Sequence, residues 1–189
     1  MAVDASLKCR AVLSVGLLLA GGALFAGPAS AHAGLAGWEG QDGGVESYCY
    51  DPSVTSGYRA EMYDAIQYLD SASDVNRDSV NCSSTTDIVF VKVNGNYGYR
   101  GVSYCNILPP YPGAKCDQYV VILNDYELYG LQNIQKTACH ELGHVVSLDH
   151  FAMSGRPFDS CLVSGEVPDG SAWISYASHE ISSHINPNF

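Results

Sequence analysis

Two histidines four residues apart, with a glutamate beside the first, form the part of this sequence best suited to chemistry. They lie in the segment His140-Glu141-Leu142-Gly143-His144. On an α-helix, His140 and His144 project from one face a turn apart, so both neutral imidazoles can reach one zinc ion. Glu141 is displaced by one residue, which suits a general base acting on a zinc-bound water rather than a ligand. The segment therefore predicts a zinc site that hydrolyses peptide bonds.

His150 and Asp149 are the two candidates for a third metal ligand. If the helix continued straight, His150 would lie about 240° round the helix axis from His144 and would face away from the metal. The chain must therefore break and turn back for His150 to bind. Three histidines would leave one coordination position for water, as in catalytic zinc sites. We expect His150 to be the third ligand, with Asp149 as the rival that could bind in its place.

The run from His140 to His150 resembles the metzincin signature, His-Glu-x-x-His-x-x-Gly-x-x-His. It is most similar to small secreted matrixin-type and snapalysin-type proteases of actinobacteria. The resemblance implies a metzincin-like single domain with Zn²⁺ as cofactor, a Met-turn-like loop at Ser160-Cys161-Leu162 and a closing helix over residues 176–185. It also implies that Gln118–Asn124 is the edge strand, to which an extended peptide substrate would add by main-chain hydrogen bonds.

Two positions depart from that signature. Ser147 stands where the family has Gly, which reaches positive φ at little steric cost, so Ser should cost on the order of 1 kcal/mol. Leu162 replaces the family's Met beneath the metal and can still form an apolar floor, because Leu and Met differ little in volume. These departures motivate the alternative to a secreted zinc endopeptidase, which is a secreted zinc-binding protein with weak or no protease activity, such as an interaction or toxin-like module.

Hydrophobic spacing predicts the helices that must position these residues. The helix that carries the histidines should cover about 131–146, with an apolar stripe at Ile134, Ala138, Leu142 and Val145. A helix capped near Ser56 should bury one face made of Tyr58, Met62, Ala65, Ile66 and Leu69. A third helix should cover about 173–185, with Ile174, Ala177, Ile181 and Ile185 spaced for burial.

Strands are predicted over 87–93 and 118–123, where β-branched and apolar residues are nearly continuous. Residues 71–84 are rich in Ser, Asp and Asn, and residues 97–117 are rich in Gly, Pro and Tyr, so both segments are predicted as loops. Few strands, separated from helices along the chain, indicate an α+β domain with a small mixed sheet.

The N-terminal residues are typical of a secretory signal. Lys8 and Arg10 precede an apolar run over 11–26, and the small residues that follow fit cleavage after Ala31 or Ala33. We predict a signal peptide over 1–31, a loose N-terminal lead over 32–47 and the catalytic domain over 48–189.

Six of the seven cysteines remain after loss of this signal. An even number in an exported chain suggests three disulfides, for which fifteen pairings are possible. The sequence does not choose among them. We take the sequential pairing as the hypothesis: Cys49–Cys82, Cys105–Cys116 and Cys139–Cys161.

The chain is acidic, with a formal net charge of −11, or −12 without residues 1–31, which contain one acidic and two basic residues. This charge argues against nucleic acid or an anionic membrane as a partner. We expect a secreted extracellular monomer, not membrane-bound after signal cleavage, whose partner is an extended peptide or protein substrate. Tyr176 could stabilise an oxyanion, and seven tyrosines could line the cleft: Tyr97, Tyr99, Tyr104, Tyr111, Tyr119, Tyr126 and Tyr129.

Overall fold

The computed structural model of the protein describes residues 45–110, 114–150, 160–165 and 171–189. The predicted signal peptide over 1–31 and the first part of the predicted lead over 32–47 lie outside these ranges. The last three residues of that lead belong to the sheet, because the first strand begins at Val45. Among the described helices, none is long and apolar enough to cross a membrane.

A mixed five-stranded sheet forms one layer of the domain. Its strands are β1 (Val45–Tyr50), β2 (Asn76–Ser79), β3 (Ile88–Val93), β4 (Gly101–Ile107) and β5 (Gln118–Asn124). Strand β1 pairs in parallel with β2 and with β3, and β3 pairs in parallel with β5. Strand β4 runs antiparallel to β5, so the strand order is β2-β1-β3-β5-β4. The expected small mixed sheet is therefore confirmed.

The sequence predicted β3 and β5 but missed the other strands. The segments 71–84 and 97–117, predicted as loops, contain β2 and β4. The prediction that Gln118–Asn124 is the edge strand is wrong, because β4 pairs along its outer side. The prolines that suggested a loop follow β4 rather than interrupting it, and a disulfide from Cys105 to Cys116 closes the connection to β5.

Two long helices cover the sheet and form the core with it. Helix α1 spans Ser56–Ala72 and α2 spans Leu131–Val145. The two helices pack against each other, and α2 also contacts β4 and β5. Both predicted apolar faces are buried, as expected for amphipathic helices that pack on a sheet. The same core contains the inward residues of three strands: Tyr48, Ile88, Phe90, Tyr119, Val121 and Leu123.

The prediction of one continuous helix over 173–185 is wrong. The carbonyl of Ser175 accepts the N–H of Cys161 at 2.8 Å, and the N–H of Ala177 donates to Glu180 Oε2 at 2.6 Å. These bonds remove two main-chain groups from a helical ladder and leave Ala177 extended, at ψ 149°. The chain instead forms short helical pieces: a 3₁₀ turn Ser171–Ile174, helix α3 Ser178–Glu180, a π-helical turn Ile181–Ile185 and a 3₁₀ turn Asn186–Asn188.

Three disulfides fasten the domain, and their pairing confirms the sequential hypothesis. Cys49–Cys82 joins β1 to the segment after β2, and Cys105–Cys116 joins β4 to the segment just before β5. Cys139–Cys161 joins α2 to the turn over 160–163. That turn therefore depends directly on the position of the helix that carries the histidines.

The turn over 160–163 packs closely on α2 at Gly143. A Cβ at Gly143 would lie 2.5 Å from Leu162 Cδ2 and 3.2 Å from Tyr176 Cε1. Leu162 is fully buried and Tyr176 nearly so, which leaves little room for either side chain to move aside. The absence of a side chain at Gly143 is thus what allows the turn to approach the helix.

We expect Gly143→Ala to lower the free energy of unfolding by about 1–3 kcal/mol, because the new methyl group overpacks the contact with Leu162. Gly57→Ala on α1 is the matched control, since a Cβ at Gly57 meets nothing within 4 Å. It should raise the free energy of unfolding by about 0.4–1 kcal/mol through a less flexible unfolded chain. Urea denaturation measures both variants, and equal effects would contradict the packing argument.

Candidate metal centre

The structure brings the three predicted histidines to one point. His140 and His144 lie one turn apart on α2, and His150 follows the end of the helix. The Nε2 atom of His150 lies 3.0 Å from that of His140 and 3.1 Å from that of His144. Within the described ranges these three side chains are the one group of histidine, cysteine or acidic residues close enough to hold a metal ion together.

The chain turns back after α2 through Ser147. Ser147 has φ 68°, and it is the one non-glycine residue with positive φ in the part of the chain that the structure describes. Its N–H donates to the His144 carbonyl at 3.0 Å, and the N–H of Leu148 donates to the Gly143 carbonyl at 2.8 Å. The expected break between His144 and His150 is therefore present. The break uses a positive φ at Ser147. This conformation costs a residue with a side chain on the order of 1 kcal/mol, whereas glycine adopts it at little cost.

Backbone carbonyls fix the ring protons of two histidines. His140 Nδ1 lies 2.8 Å from the Cys161 carbonyl, and His144 Nδ1 lies 2.7 Å from the Leu148 carbonyl. A carbonyl oxygen only accepts, so each ring carries its proton on Nδ1 and presents the Nε2 lone pair. Burial, and then the positive charge of Lys136, lower the pKa of His140 to about 3, and burial also lowers the pKa of His144. Lowered pKa values favour the neutral form of both rings, which is the form that binds a metal.

This donor set fits a zinc ion. Nitrogens bound at about 2.0–2.1 Å to tetrahedral zinc are about 3.3 Å apart, close to the separations of 3.0 and 3.1 Å found here. Imidazole nitrogen is a donor that suits zinc. The three rings thus have the donor chemistry and the spacing that such an ion requires.

Asp149, the rival third ligand, lines the same cleft but does not belong to the group of three rings. Its Oδ1 accepts the backbone N–H of His150 at 2.7 Å, and its side chain is exposed. The carboxylate therefore orients the backbone of His150 rather than joining the three nitrogens. Of the two candidates, it is His150 whose ring the structure places with His140 and His144.

Glu141 faces the first residues of β4. Its Oε2 accepts a hydrogen bond from the Ser103 hydroxyl at 3.1 Å, and the residue is 5% exposed. Burial raises the pKa of Glu141 to about 7, against the opposing effects of the Ser103 hydrogen bond and the charge of Lys136. A Cβ at Gly101 would lie 2.7 Å from Glu141 Oε1, so the strand approaches this carboxylate as closely as a glycine allows.

A cleft of about 340 Å³ joins the histidines to the edge of the sheet. The expectation that tyrosines line it is confirmed for Tyr104 and Tyr119, and Tyr111 lies outside the described residues. Tyr176 does not face it, because its buried hydroxyl donates to the Cys139 carbonyl at 2.6 Å, so its proposed oxyanion role is wrong. The cleft is lined by Gly101, Val102, Ser103, Tyr104, Tyr119, His140, Glu141, His144, Asp149 and His150.

Gly101 and Ser103 were not predicted as site residues, because the segment that contains them was predicted as a loop. Lys136 was also missed, although its spacing of four residues from His140 places it on the same helical stripe. Its Nζ donates to the carbonyls of Val163 and Gly165, the latter at 3.1 Å. Lys136 therefore ties α2 to the chain that follows the turn over 160–163.

No protein-family model matches the chain, and no curated protein matches it. Among solved structures it is similar to high choriolytic enzyme 1, a hatching enzyme zinc-protease from the medaka fish Oryzias latipes. The two share 18% sequence identity with a TM-score of 0.39, over 60% of this chain and 49% of that one. The chain thus matches about half the length of that protein, and a likeness this weak says nothing about function.

Glu180 makes hydrogen bonds that hold the turn over 160–163 in place. Its Oε2 accepts hydrogen bonds from the Ser160 hydroxyl at 3.0 Å and from the N–H of Ala177, and the Ser160 hydroxyl also accepts the N–H of Leu162. Glu180 is fully buried, and burial raises its pKa to about 7, against the lowering effect of those two hydrogen bonds. Below about pH 7 the protonated form is therefore favoured in the folded protein.

This pKa predicts a pH dependence of stability. Between about pH 4.5 and 7 the unfolded chain loses the Glu180 proton while the folded chain keeps it, so stability falls as pH rises through that window. We expect Glu180→Gln, which stays neutral, to remove up to about 1.4 kcal/mol of this slope per pH unit. Urea denaturation at pH 4.5, 5.5, 6.5 and 7.5 compares the two proteins. Parallel stability curves would contradict this role of Glu180.

Proposed function

We propose that this protein is a secreted zinc-dependent endopeptidase of the metzincin type. The observation that carries the proposal is the convergence of three imidazole Nε2 atoms in a cleft that also contains the carboxylate of Glu141. Metal-binding nitrogens and a buried carboxylate beside a sheet edge are the groups that hydrolysis of a peptide bond requires.

His140, His144 and His150 would hold the ion, and three protein ligands leave one position for water or substrate. When bound, zinc supplies Lewis acidity, which polarises a carbonyl oxygen and brings the pKa of a bound water close to 7. The hydrogen bonds from His140 to Cys161 and from His144 to Leu148 orient the two rings and make their Nε2 atoms better donors.

Glu141 is the proposed general base. Its carboxylate accepts a proton from the attacking water and delivers it to the amine nitrogen of the leaving peptide. Burial raises the pKa of Glu141 to about 7, so near physiological pH the carboxylate can both accept a proton and release it. The Ser103 hydroxyl holds one carboxylate oxygen at 3.1 Å and so limits the side chain to one orientation.

The proposed substrate is a peptide in extended form along β4. This strand pairs with β5 on one side, and residues 101–104 border the cleft. An extended chain would add to its outer edge by main-chain hydrogen bonds. The edge strand predicted at Gln118–Asn124 is covered, so the binding strand is β4 instead. The three disulfides of so small a domain support an oxidising, extracellular compartment.

The alternative, a zinc-binding protein without protease activity, rested on Ser147 and Leu162. Ser147 adopts positive φ, so the backbone turns where a Gly would turn it. Leu162 is fully buried and packs against α2 at Gly143, so the Leu side chain is accommodated where the family has Met. Neither residue alters the ligands or the base, and we therefore favour the endopeptidase.

We expect the zinc-loaded chain to hydrolyse casein, with a loss of activity on chelation and recovery on adding zinc. Glu141→Ala should lower the rate by about 10²–10⁴-fold, the usual contribution of a general base, while zinc remains stoichiometric by atomic absorption. Glu61→Ala on α1, outside the cleft, is the matched control and should keep the wild-type rate. Stoichiometric zinc without cleavage of any peptide would favour the alternative.

Substitution at the third ligand position separates the two candidates. His150→Ala removes a ring nitrogen and should weaken zinc binding by more than about 100-fold, beyond the loss usual for a residue that only orients a ligand. Asp149→Ala removes the acceptor of one backbone N–H and should stay within about 10–100-fold. Competition with a chromogenic chelator measures both affinities. The reverse order would show that Asp149 is the ligand.

A further inference from the structure

The disulfide Cys139–Cys161 lies directly beside the proposed zinc ligand His140. Cys139 precedes His140 in α2, and the carbonyl of Cys161 accepts the hydrogen bond from His140 Nδ1 at 2.8 Å. The covalent bond and the hydrogen bond therefore connect the helix to the turn over 160–163 at the same place. Neither of the other two disulfides contains a residue next to a proposed ligand in the sequence. We call Cys139–Cys161 the helix–turn disulfide.

The helix–turn disulfide also closes the segment that carries every proposed ligand. The two cysteines are separated by 22 residues in sequence, and His140, His144 and His150 all lie between them. A crosslink that closes such a loop removes conformational freedom that other contacts would otherwise have to restrain. In the reduced chain, hydrogen bonds and packing alone would hold the turn against the helix.

Reduction would act on a part of the core that has little spare room. Cys139, Cys161 and Leu162 are all fully buried. A Cβ at Gly143 would lie 2.5 Å from Leu162 Cδ2, so the turn already approaches the helix about as closely as the backbone allows. Two thiols need more room than two bonded sulfurs, and a closely packed core can supply it only by moving the turn. The Cys161 carbonyl would then move away from His140 Nδ1.

Loss of this hydrogen bond would weaken zinc binding. The Cys161 carbonyl orients the His140 ring and keeps its proton on Nδ1, so that Nε2 is available to a metal. Removing a group that orients a metal ligand usually costs about 10–100-fold in metal affinity. The oxidation state of the two cysteines is thus coupled to the affinity of the metal site.

Burial protects the helix–turn disulfide once it has formed. Thiol–disulfide exchange requires a thiolate to approach one of the two sulfurs, and Cys139 and Cys161 are both 0% exposed. The disulfide Cys49–Cys82 is more accessible, because Cys82 is exposed. In the folded protein the helix–turn disulfide should therefore resist reduction more strongly than Cys49–Cys82.

We propose that the helix–turn disulfide is a redox control of the metal centre: zinc binds tightly only after Cys139 and Cys161 are oxidised, and burial then protects the bond. In the oxidation the two thiols lose two protons and two electrons to a disulfide of an oxidising partner protein. The Cys139–Cys161 bond forms, and the partner leaves as a dithiol. Such oxidants act outside the reducing cytosol, so the chain would lack hydrolytic activity until export. This inference rests on the zinc site of the proposed function and not on peptide hydrolysis.

The first test removes the helix–turn disulfide and measures zinc affinity by competition with a chromogenic chelator. In Cys139→Ala/Cys161→Ala we expect the affinity to fall at least about 10-fold. Alanine leaves no thiol that could bind zinc. The matched control Cys49→Ala/Cys82→Ala opens a longer loop, with a separation of 33 against 22, so chain entropy predicts at least as large a loss of stability. The control should keep the wild-type zinc affinity.

The second test uses the wild-type chain and does not depend on a variant that folds. If oxidation strengthens zinc binding, zinc must favour oxidation by the same factor. The chain is equilibrated in glutathione buffers from both the oxidised and the reduced state, and each disulfide is quantified by alkylation and mass spectrometry. Saturating zinc should raise the equilibrium constant for the helix–turn disulfide at least about 10-fold and leave that of Cys49–Cys82 unchanged. His150→Ala, which lacks one proposed ligand, should lose most of this rise.

The protection by burial is tested by reducing the folded oxidised chain with a small thiol in the absence of denaturant. Alkylation at successive times should show that Cys49–Cys82 opens before Cys139–Cys161. The opposite order would overturn the protection that the proposal assigns to burial.

Equal zinc affinities in the two double variants, or an oxidation equilibrium of the helix–turn disulfide that zinc does not change, would overturn the redox control. Failure of the endopeptidase gives a different result. Tight zinc binding by the oxidised chain without hydrolysis of casein would refute the proposed protease activity and leave the redox control standing. A wild-type chain that binds no zinc in either redox state would overturn both.

Discussion

The hydrogen bond between His140 Nδ1 and the Cys161 carbonyl is the interaction on which the rest of the site depends. It spans 2.8 Å and joins α2 to the turn over 160–163, where the Cys139–Cys161 disulfide also connects the two. Because the carbonyl accepts the ring proton, Nε2 remains available to a metal. Gly143 permits this approach, since any side chain there would meet Leu162. The position of the His140 ring therefore depends on both the helix and the turn.

A second constraint is the return of the chain that delivers His150. Ser147 takes a backbone conformation that costs an L-residue on the order of 1 kcal/mol. The contacts of the next residue hold Ser147 in this conformation. Leu148 is fully buried, the Leu148 N–H donates to the Gly143 carbonyl, and the Leu148 carbonyl accepts a hydrogen bond from His144 Nδ1. Strain of this kind persists where packing on both sides fixes the backbone. Here it places a third imidazole opposite the two on the helix.

Residue spacing was enough to predict α2, its buried stripe and the need for a break before His150, because those features depend on contacts within a few turns. The strand β4 could not be predicted in this way. Its residues are mixed in character and precede prolines, and they form a strand because β5 pairs with them. The break at Ala177 has the same origin, since the Ser175 carbonyl is bonded to Cys161, far away in sequence. Ser103 and Gly101 were missed for this reason.

The position of Glu141 on α2 connects the metal centre with both the sheet and the turn region. Lys136, His140 and Glu141 lie within two turns of α2, so the cation that binds the turn region, the proposed ligand and the proposed base belong to one rigid element. Gly101 lets β4 approach that element within contact distance of the Glu141 side chain. The proposed base is thus positioned by a helix and a paired strand rather than by a loop. The distance between the base and the proposed ligands should therefore be fixed as firmly as the helix that carries them.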